Sequence, residues 1–335
     1  MSVSIKDMAA ALGLSKATVS WILSGQGEAK GFSAMTIKRV KEYAESVNYR
    51  PNLVARSLSL GVSKTLGLII PFLRDTFYAR LAYYIERYAA LKGYSLIVCS
   101  SEGNSAKEYD LIFTLMAKRV DGIIMAPTKT DMKGIKYLIK QNFPFVLIDR
   151  YSQNINTNYV IVDNYKSSYD IVHFLAEKGA KKIAIVVTDV HLYVVKQRLE
   201  GYRRALRDAG LSDDIALEVF IDRQTYESDI TEKLDCLFME MPDVDGFFFA
   251  THYLAMSTIR YFVNNNIDYH RYAMGCFDVM DGLDILAPEM CSALFPIEDM
   301  SKEAVNILLD NIQSEELYQY QNRVLDCMFV PSIGK

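Results

Sequence analysis

Ile5-Lys6-Asp7-Met8-Ala9-Ala10-Ala11-Leu12-Gly13-Leu14-Ser15-Lys16-Ala17-Thr18-Val19-Ser20 opens the chain with the spacing of two short helices joined by a tight turn. Ile5, Met8, Ala9 and Leu12 recur at helical spacing and share one face. Ala9 is small where two helices would cross closely. Gly13, four residues on, can take the left-handed backbone that a three- or four-residue turn requires. Ser15 is a good N-cap for the second helix, whose Val19, Ile22 and Leu23 point inward. Ordinary helical hairpins also carry these three key positions by chance, so the spacing alone leaves a helix-turn-helix and a plain hairpin both open.

Working outward, a third helix is expected from about 33 to 47, with Ile37, Val40 and Ala44 on one side. Pro51–Ser59 reads as a short helix with proline in its first turn. Gly61-Val62-Ser63-Lys64 is a plausible joint. Residues 1–64 hold nine Lys or Arg against four Asp or Glu, whereas the other 271 hold 28 against 37. A basic small end on an acidic body suits a nucleic-acid module on a carrier domain.

From Thr65 the pattern changes to short apolar strands separated by amphipathic helices. Strands are expected at 65–71, 94–100, 120–126, 143–149, 160–162, 181–187, 216–220, 245–250 and 272–276. Two more follow at 291–295 and 324–330, with a helix at about 298–313 between them. Gly67-Leu68-Ile69-Ile70 and Ile183-Ala184-Ile185-Val186-Val187 are near-continuous apolar runs, as parallel strands covered on both faces require. The alternation predicts an α/β core of doubly wound sheets in two similar lobes. The expected division is 1–59 for the helical headpiece and hinge, 60–64 for the linker and 65–335 for the core. Within the core, the first lobe takes about 65–160 and 296–323, the second about 163–290 and 324–330.

With 335 residues, half of them apolar, the chain can bury two substantial cores. No apolar run is long enough for a membrane helix, and the N-terminus lacks a basic-then-apolar signal pattern, so no membrane association is expected. Five scattered cysteines without a C-x-x-C pair read as reduced thiols in cytoplasm. His173, His191, His252 and His270 lack metal-ligand spacing, and no G-x-S-x-G, P-loop or G-x-G-x-x-G is present. Neither an enzyme nor a cofactor or metal site is therefore expected.

Ile5-Lys6-Asp7-Met8-Ala9, Gly13-Leu14-Ser15-Lys16-Ala17-Thr18-Val19-Ser20, Tyr49-Arg50-Pro51-Asn52 and Ala55-Arg56-Ser57-Leu58 together resemble the headpiece and hinge of LacI/GalR-family regulators. The resemblance implies a homodimer on near-palindromic operator double-stranded DNA, with hinge helices meeting in the minor groove, in the bacterial cytoplasm at the nucleoid. It places Lys16 and Ala17 at the exposed N-terminal end of a major-groove helix. Ser4, Ser15, Thr18 and Ser20 would offer hydroxyls to phosphates. Asn52, Ala55, Arg56 and Leu58 would be hinge contacts, Leu58 as an apolar wedge between base pairs or as a core partner of Val54. Trp21 departs from the polar base reader common there; it packs on sugar, on a thymine methyl, or into the headpiece core. The loop 24–33 is about three residues longer than usual, with Lys30 expected near phosphate.

The resemblance continues through Val146-Leu147-Ile148-Asp149-Arg150, Arg198-Leu199-Glu200-Gly201-Tyr202 and Gly275-Cys276-Phe277-Asp278. It implies a two-lobed, type I periplasmic-binding-protein-like core that senses a small-molecule effector of the carbohydrate class. The implied effector residues are Phe72, Asp75, Phe77, Tyr78, Asp149, Arg198, His252, Tyr253, Asp278 and Phe295. Aspartates accept from hydroxyls, Arg198 donates a planar fork, and aromatic rings stack on a sugar face. Phe72 and Phe295 read equally well as core, and His252 as a satisfied wall histidine. Asp75-Thr76, His252-Tyr253 and Phe295 depart from the residues common in relatives, giving a more aromatic pocket. A transcriptional regulator acting as a repressor is the function implied; the solute-binding protein of a sugar transporter is the second reading.

Overall fold

A computed structural model describes residues 3–49, 61–128, 132–188, 190–314 and 320–334. The chain divides into two compact units, Met1–Ser63 and Lys64–Lys335. The expected hinge helix at 51–59, with Asn52, Ala55, Arg56 and Leu58, lies outside the described residues.

The first unit holds three helices, α1 (Ile5–Leu12), α2 (Lys16–Leu23) and α3 (Ala34–Ser46). Each starts at a serine whose hydroxyl accepts an amide of the first turn: Ser4 from Asp7, Ser15 from Thr18, Ser33 from Thr36. Gly13 ends α1 at φ 64°, so the chain reverses where a Cβ would be disfavoured. Met8, Ala9, Leu12, Val19, Ile22, Val40 and Ala44 form the core between the three helices. The Arg39 guanidinium donates to the Leu12 carbonyl and satisfies one end of α1.

The second unit contains two six-stranded sheets. Along the chain come β1 (Thr65–Ile70), α4 (Thr76–Leu91), β2 (Ser95–Ser100), α5 (Ser105–Ala117), β3 (Gly122–Met125), α6 (Lys133–Lys140), β4 (Phe145–Ile148) and β5 (Tyr159–Val162). Then follow α7 (Asn164–Glu177), β6 (Ile183–Val187), α8 (Tyr193–Asp208), β7 (Glu218–Phe220), α9 (Tyr226–Glu240), β8 (Gly246–Phe249), α10 (His252–Asn264) and β9 (Ala273–Phe277). The last elements are α11 (Leu283–Leu286), β10 (Cys291–Leu294), α12 (Ile297–Gln313), β11 (Asn322–Leu325) and β12 (Met328–Val330).

The first sheet runs β2-β1-β3-β4-β5-β11 and the second β7-β6-β8-β9-β10-β12, the same order in each lobe. All pairs are parallel except β10 with β12. The apolar runs behave as parallel strands covered by helices on both faces should: β1, apart from its first residue, and all of β6 are buried. The chain crosses between lobes after β5, after β10 and between β11 and β12.

One expectation fails here. The run 324–330 does not form a single strand of the second lobe. Residues 322–325 close the first sheet against β5, and 328–330 close the second against β10. Both pieces are short edge strands, and which sheet an edge joins depends on crossovers that no local apolar pattern encodes.

Candidate functional site

The cleft between the lobes forms at the C-terminal ends of their strands, where open α/β sheets expose loops and helix N-termini. It is lined by Asp75, Phe77, Tyr78, Asp149, Arg150, Thr188, Leu192, Val194, Val195, Arg198, Arg223, Thr251, His252, Tyr253, Phe277 and Phe295.

Asp75 caps α4 by accepting from the Phe77 amide at 3.1 Å. Its carboxylate also reaches across the cleft to Arg223 Nη2 at 3.2 Å and His252 Nε2 at 3.4 Å. Burial alone would push the Asp75 carboxyl up, but the His252 hydrogen bond and the charges of His252 and Arg223 hold it below the usual carboxylate range. Tyr78, in the first turn of α4, donates to Asp149 Oδ2 at 2.7 Å. Burial keeps the Tyr78 phenol protonated far above the usual tyrosine range, so it stays a donor.

Asp149 follows β4 with φ 67°, and Asp278 holds the equivalent place after β9 with φ 63°. Aspartate tolerates this left-handed backbone better than most residues, and both lobes use it to turn a carboxyl off the sheet edge. Arg150 Nε lies 3.4 Å from Asp149 Oδ2. Arg198, on α8, is buried; its Nε donates to Asn164 Oδ1 at 2.8 Å and its Nη1 to the Ala250 carbonyl at 2.6 Å. The guanidinium carbon sits 3.8 Å above the Phe277 ring, a cation–π contact that fixes the plane of the fork. Two of its five N–H donors are thereby used. Phe295 packs against Phe77 and Phe277 at centroid distances of 4.8 and 5.2 Å, so it serves core and cleft wall together.

Eight of the ten expected effector residues thus line one cleft, and two do not. Phe72 is turned aside after β1 and packs beneath Arg223, whose guanidinium carbon is 4.7 Å from its ring. Asp278 lies off the lining, 2% exposed, with Arg80 Nη1 at 3.6 Å and neither oxygen closing a full hydrogen bond. Burial raises its carboxyl above the usual range; Arg80, His252 and the amides of Val279 and Phe295 offset this in part. Sequence reading missed Arg150, Arg223, Thr188 and Thr251. The first stands beside a named aspartate, and the others follow strands β6, β7 and β8, a position that marks a loop as cleft-facing.

A raised folded pKa means that Asp278 favours the folded chain fully below the ordinary carboxylate pKa of about 4, and that this contribution is lost as pH rises through the folded value. At neutral pH its buried charge is a cost. Asp278→Asn is therefore expected to stabilise the ligand-free protein at pH 7 by about 1 kcal/mol and to have little effect near pH 4. Thermal melts of both proteins across that window check this; an Asn variant less stable at pH 7 would contradict it.

On the headpiece, Lys16, Ala17, Ser20 and Trp21 are exposed on α2. Ser15 and Thr18 hydroxyls bond each other at 2.9 Å, and Ser4 Oγ donates to Asp7 Oδ2 at 2.7 Å. Ser4 is thereby committed to an acidic neighbour, which weakens the expectation of a phosphate contact from its hydroxyl. Trp21 does not enter the core: it is 38% exposed, stacked on Phe32 at 6.2 Å, with Lys30 Nζ 5.2 Å from its ring centre. The Gln26 amide donates to the Trp21 carbonyl of α2 at 2.9 Å, and within the loop the Phe32 amide donates to the Gly27 carbonyl at 3.0 Å. The loop thus brings both Lys30 and Phe32 against the indole.

Among the described residues, no helix is long and apolar enough to cross a membrane, and no cluster of His, Cys, Asp or Glu could hold a metal.

Residues 63–265 match the family described as periplasmic binding proteins and sugar binding domain of LacI family, and residues 4–52 match bacterial regulatory proteins, lacI family. Catabolite control protein A of Priestia megaterium is 30% identical over 318 residues, 94% of either chain. The transcriptional repressor PurR of Photobacterium profundum is 25% identical over 325 residues, covering 96% of this chain and 95% of PurR. Among solved structures, a lac repressor dimer bound to operator and the anti-inducer ONPF aligns with a TM-score of 0.84 at 19% identity, over 100% of this chain and 99% of that one. A complex of the regulator CelR with cellobiose aligns at 0.72 and 22% identity, over 99% and 100%.

Proposed function

The chain belongs to the LacI family of bacterial regulatory proteins, and from that membership we propose that it binds a near-palindromic operator as a homodimer and releases or grips it according to a carbohydrate-type effector. It is a DNA-binding transcriptional regulator, and the relatives supply no support for the transporter reading. The observation that carries the proposal is the cleft itself. Asp75 and Asp149 face Arg198 and Arg223 across a lobe boundary, so a polyhydroxylated ligand would bond both lobes and change their separation. Such a ligand shifts the population of two states only through its unequal affinity for them. Lobe closure would reach DNA through residues 51–59. Repression, rather than activation, follows the habit of the family, as does a place in the cytoplasm at the nucleoid.

Dimerisation is supported by apolar surface on the outer edges of both sheets. Val98 on edge strand β2 and Phe220 on edge strand β7 are each 40% exposed, and Leu91 at the end of α4 is 73% exposed. Parallel edge strands with apolar side chains call for a covering partner.

The DNA reading is tested at α2. Trp21→Ala is expected to weaken binding to the preferred site about tenfold, as loss of an apolar contact to a thymine methyl or sugar would, without changing the salt dependence. Lys30→Ala is expected to lower the slope of log affinity against log salt by about one phosphate's worth. Fluorescence anisotropy with labelled duplexes over a salt series measures both. Equal loss on preferred and random DNA for Trp21→Ala would contradict the base-reading role.

A further inference from the structure

The two walls of the cleft differ in charge. The first lobe brings Asp75 and Asp149, with Arg150 beside the latter. The second brings Arg198 and Arg223 together with the N-termini of α8 and α10. Both helices are long, 16 and 13 residues, and neither N-cap, Leu192 or Thr251, supplies a side-chain hydrogen bond. Their first-turn amides and the positive ends of their dipoles are thus left without a side-chain cap, the condition under which helix N-termini bind anions.

Two hydroxyls mark the spot. Thr188 directly follows β6 and Thr251 lies two residues past its parallel neighbour β8, and both line the cleft. Both hydroxyl oxygens are buried without a hydrogen-bond partner, and Thr188 is only 3% exposed. Burying an unpaired hydroxyl is costly, and a pair at one cleft wall is what a site awaiting acceptor atoms would show. Arg198, on α8, brings its remaining donors to the same cleft lining. Asp75 already shows the preference of this wall, since a carboxylate from the opposite lobe is held by Arg223 and His252.

Resting on the effector-controlled reading above, we propose that the effector is an acidic polyol, a sugar phosphate or sugar acid, whose anionic group sits on Thr188, Thr251 and Arg198 at the N-termini of α8 and α10. Its hydroxyls then face Asp149 and Asp75. A neutral sugar of the same size leaves the buried Arg198 guanidinium with only the neutral acceptors Asn164 and Ala250, so it binds more weakly.

The test is thermal stabilisation of the full chain by inorganic phosphate, glucose, glucose 6-phosphate and glucuronate, each against sodium chloride of matched ionic strength. Inorganic phosphate is expected to stabilise beyond chloride. The acidic sugar of the right class is expected to act at a concentration at least tenfold below that of glucose, phosphate against carboxylate being decided by which of the two does so. A Thr188→Val, Thr251→Val double variant, close in shape to the parent, is expected to keep its own melting temperature and lose the phosphate response; any phosphate bound by the DNA-binding unit would survive in it. No stabilisation by phosphate in the parent, or equal stabilisation of the double variant, overturns the inference. Operator binding by the same preparation separates the readings. If glucose alone loosens or tightens a bound operator, the regulator stands and the acidic effector falls; if no sequence-specific DNA binding is found, the regulator itself falls.

Discussion

An Arg198→Ala chain is expected to bind operator DNA as tightly as the parent and to lose its response to effector. Arg198 is the buried cation of the cleft, held by Asn164, the Ala250 carbonyl and the face of Phe277. Those three contacts fix the guanidinium before any ligand arrives, so ordering it costs the ligand little. Truncating one partner of a desolvated, charge-assisted contact costs about 2–5 kcal/mol, roughly 30- to 5,000-fold in affinity. Folding should suffer less. The variant leaves the Asn164 and Ala250 oxygens without their donor but also relieves the burial of a cation, which already lowers the Arg198 pKa. Arg198→Lys, which keeps charge but not the fork, is expected to recover only part of the affinity. Calorimetry with the stabilising ligand and anisotropy with operator measure the two sides. An alanine variant with unchanged ligand affinity would remove Arg198 from the site.

Gly201→Ala is expected to cost about 3 kcal/mol and to lower the melting temperature of the core by about 6–12 °C. A Cβ built on Gly201 would lie 2.3 Å from the Tyr165 carbonyl oxygen and 3.1 Å from Ser168 Cβ. The first obstacle is backbone, which cannot swing aside as a side-chain tip does. Relief requires α8 to move off α7. Since Arg198 is one turn away on α8 and its partner Asn164 begins α7, the same shift would pull the Arg198–Asn164 bond apart. Ligand affinity should therefore fall with stability, although position 201 touches no ligand. A variant that melts like the parent would show that the two helices have slack that their packing does not suggest.

Much of this architecture was legible because it rests on strong local patterns. Eleven apolar runs separated by amphipathic stretches dictate alternating strands and helices, and serine N-caps with Gly13 dictate the headpiece. Where reading failed, the deciding interaction was non-local. Whether 322–330 forms one strand or two depends on which sheets have a free edge after three crossovers. Asp149 and Asp278 end matching strands with matching backbone angles, yet only the first faces the cleft. The second is covered by packing that brings together residues far apart in sequence. Phe72, off the lining, packs against Arg223, some 150 positions later in the chain. Thr188 and Thr251 are unremarkable as sequence; their interest comes from a shared place in the cleft lining and from hydroxyls without a partner. Trp21 left three readings open, and its exposure beside Phe32 and Lys30 removes the core one.

Coupling between the DNA-reading headpiece and the ligand-closing core is measured by selecting a duplex with the full-length protein and then determining its affinity with and without the ligand that most raises the melting temperature. Operator affinity is expected to change at least tenfold on adding ligand, a change abolished by Arg198→Ala, and specific binding is expected to be lost altogether when residues 1–63 are removed. Operator affinity that is the same with saturating ligand, or that survives removal of residues 1–63, would contradict that coupling.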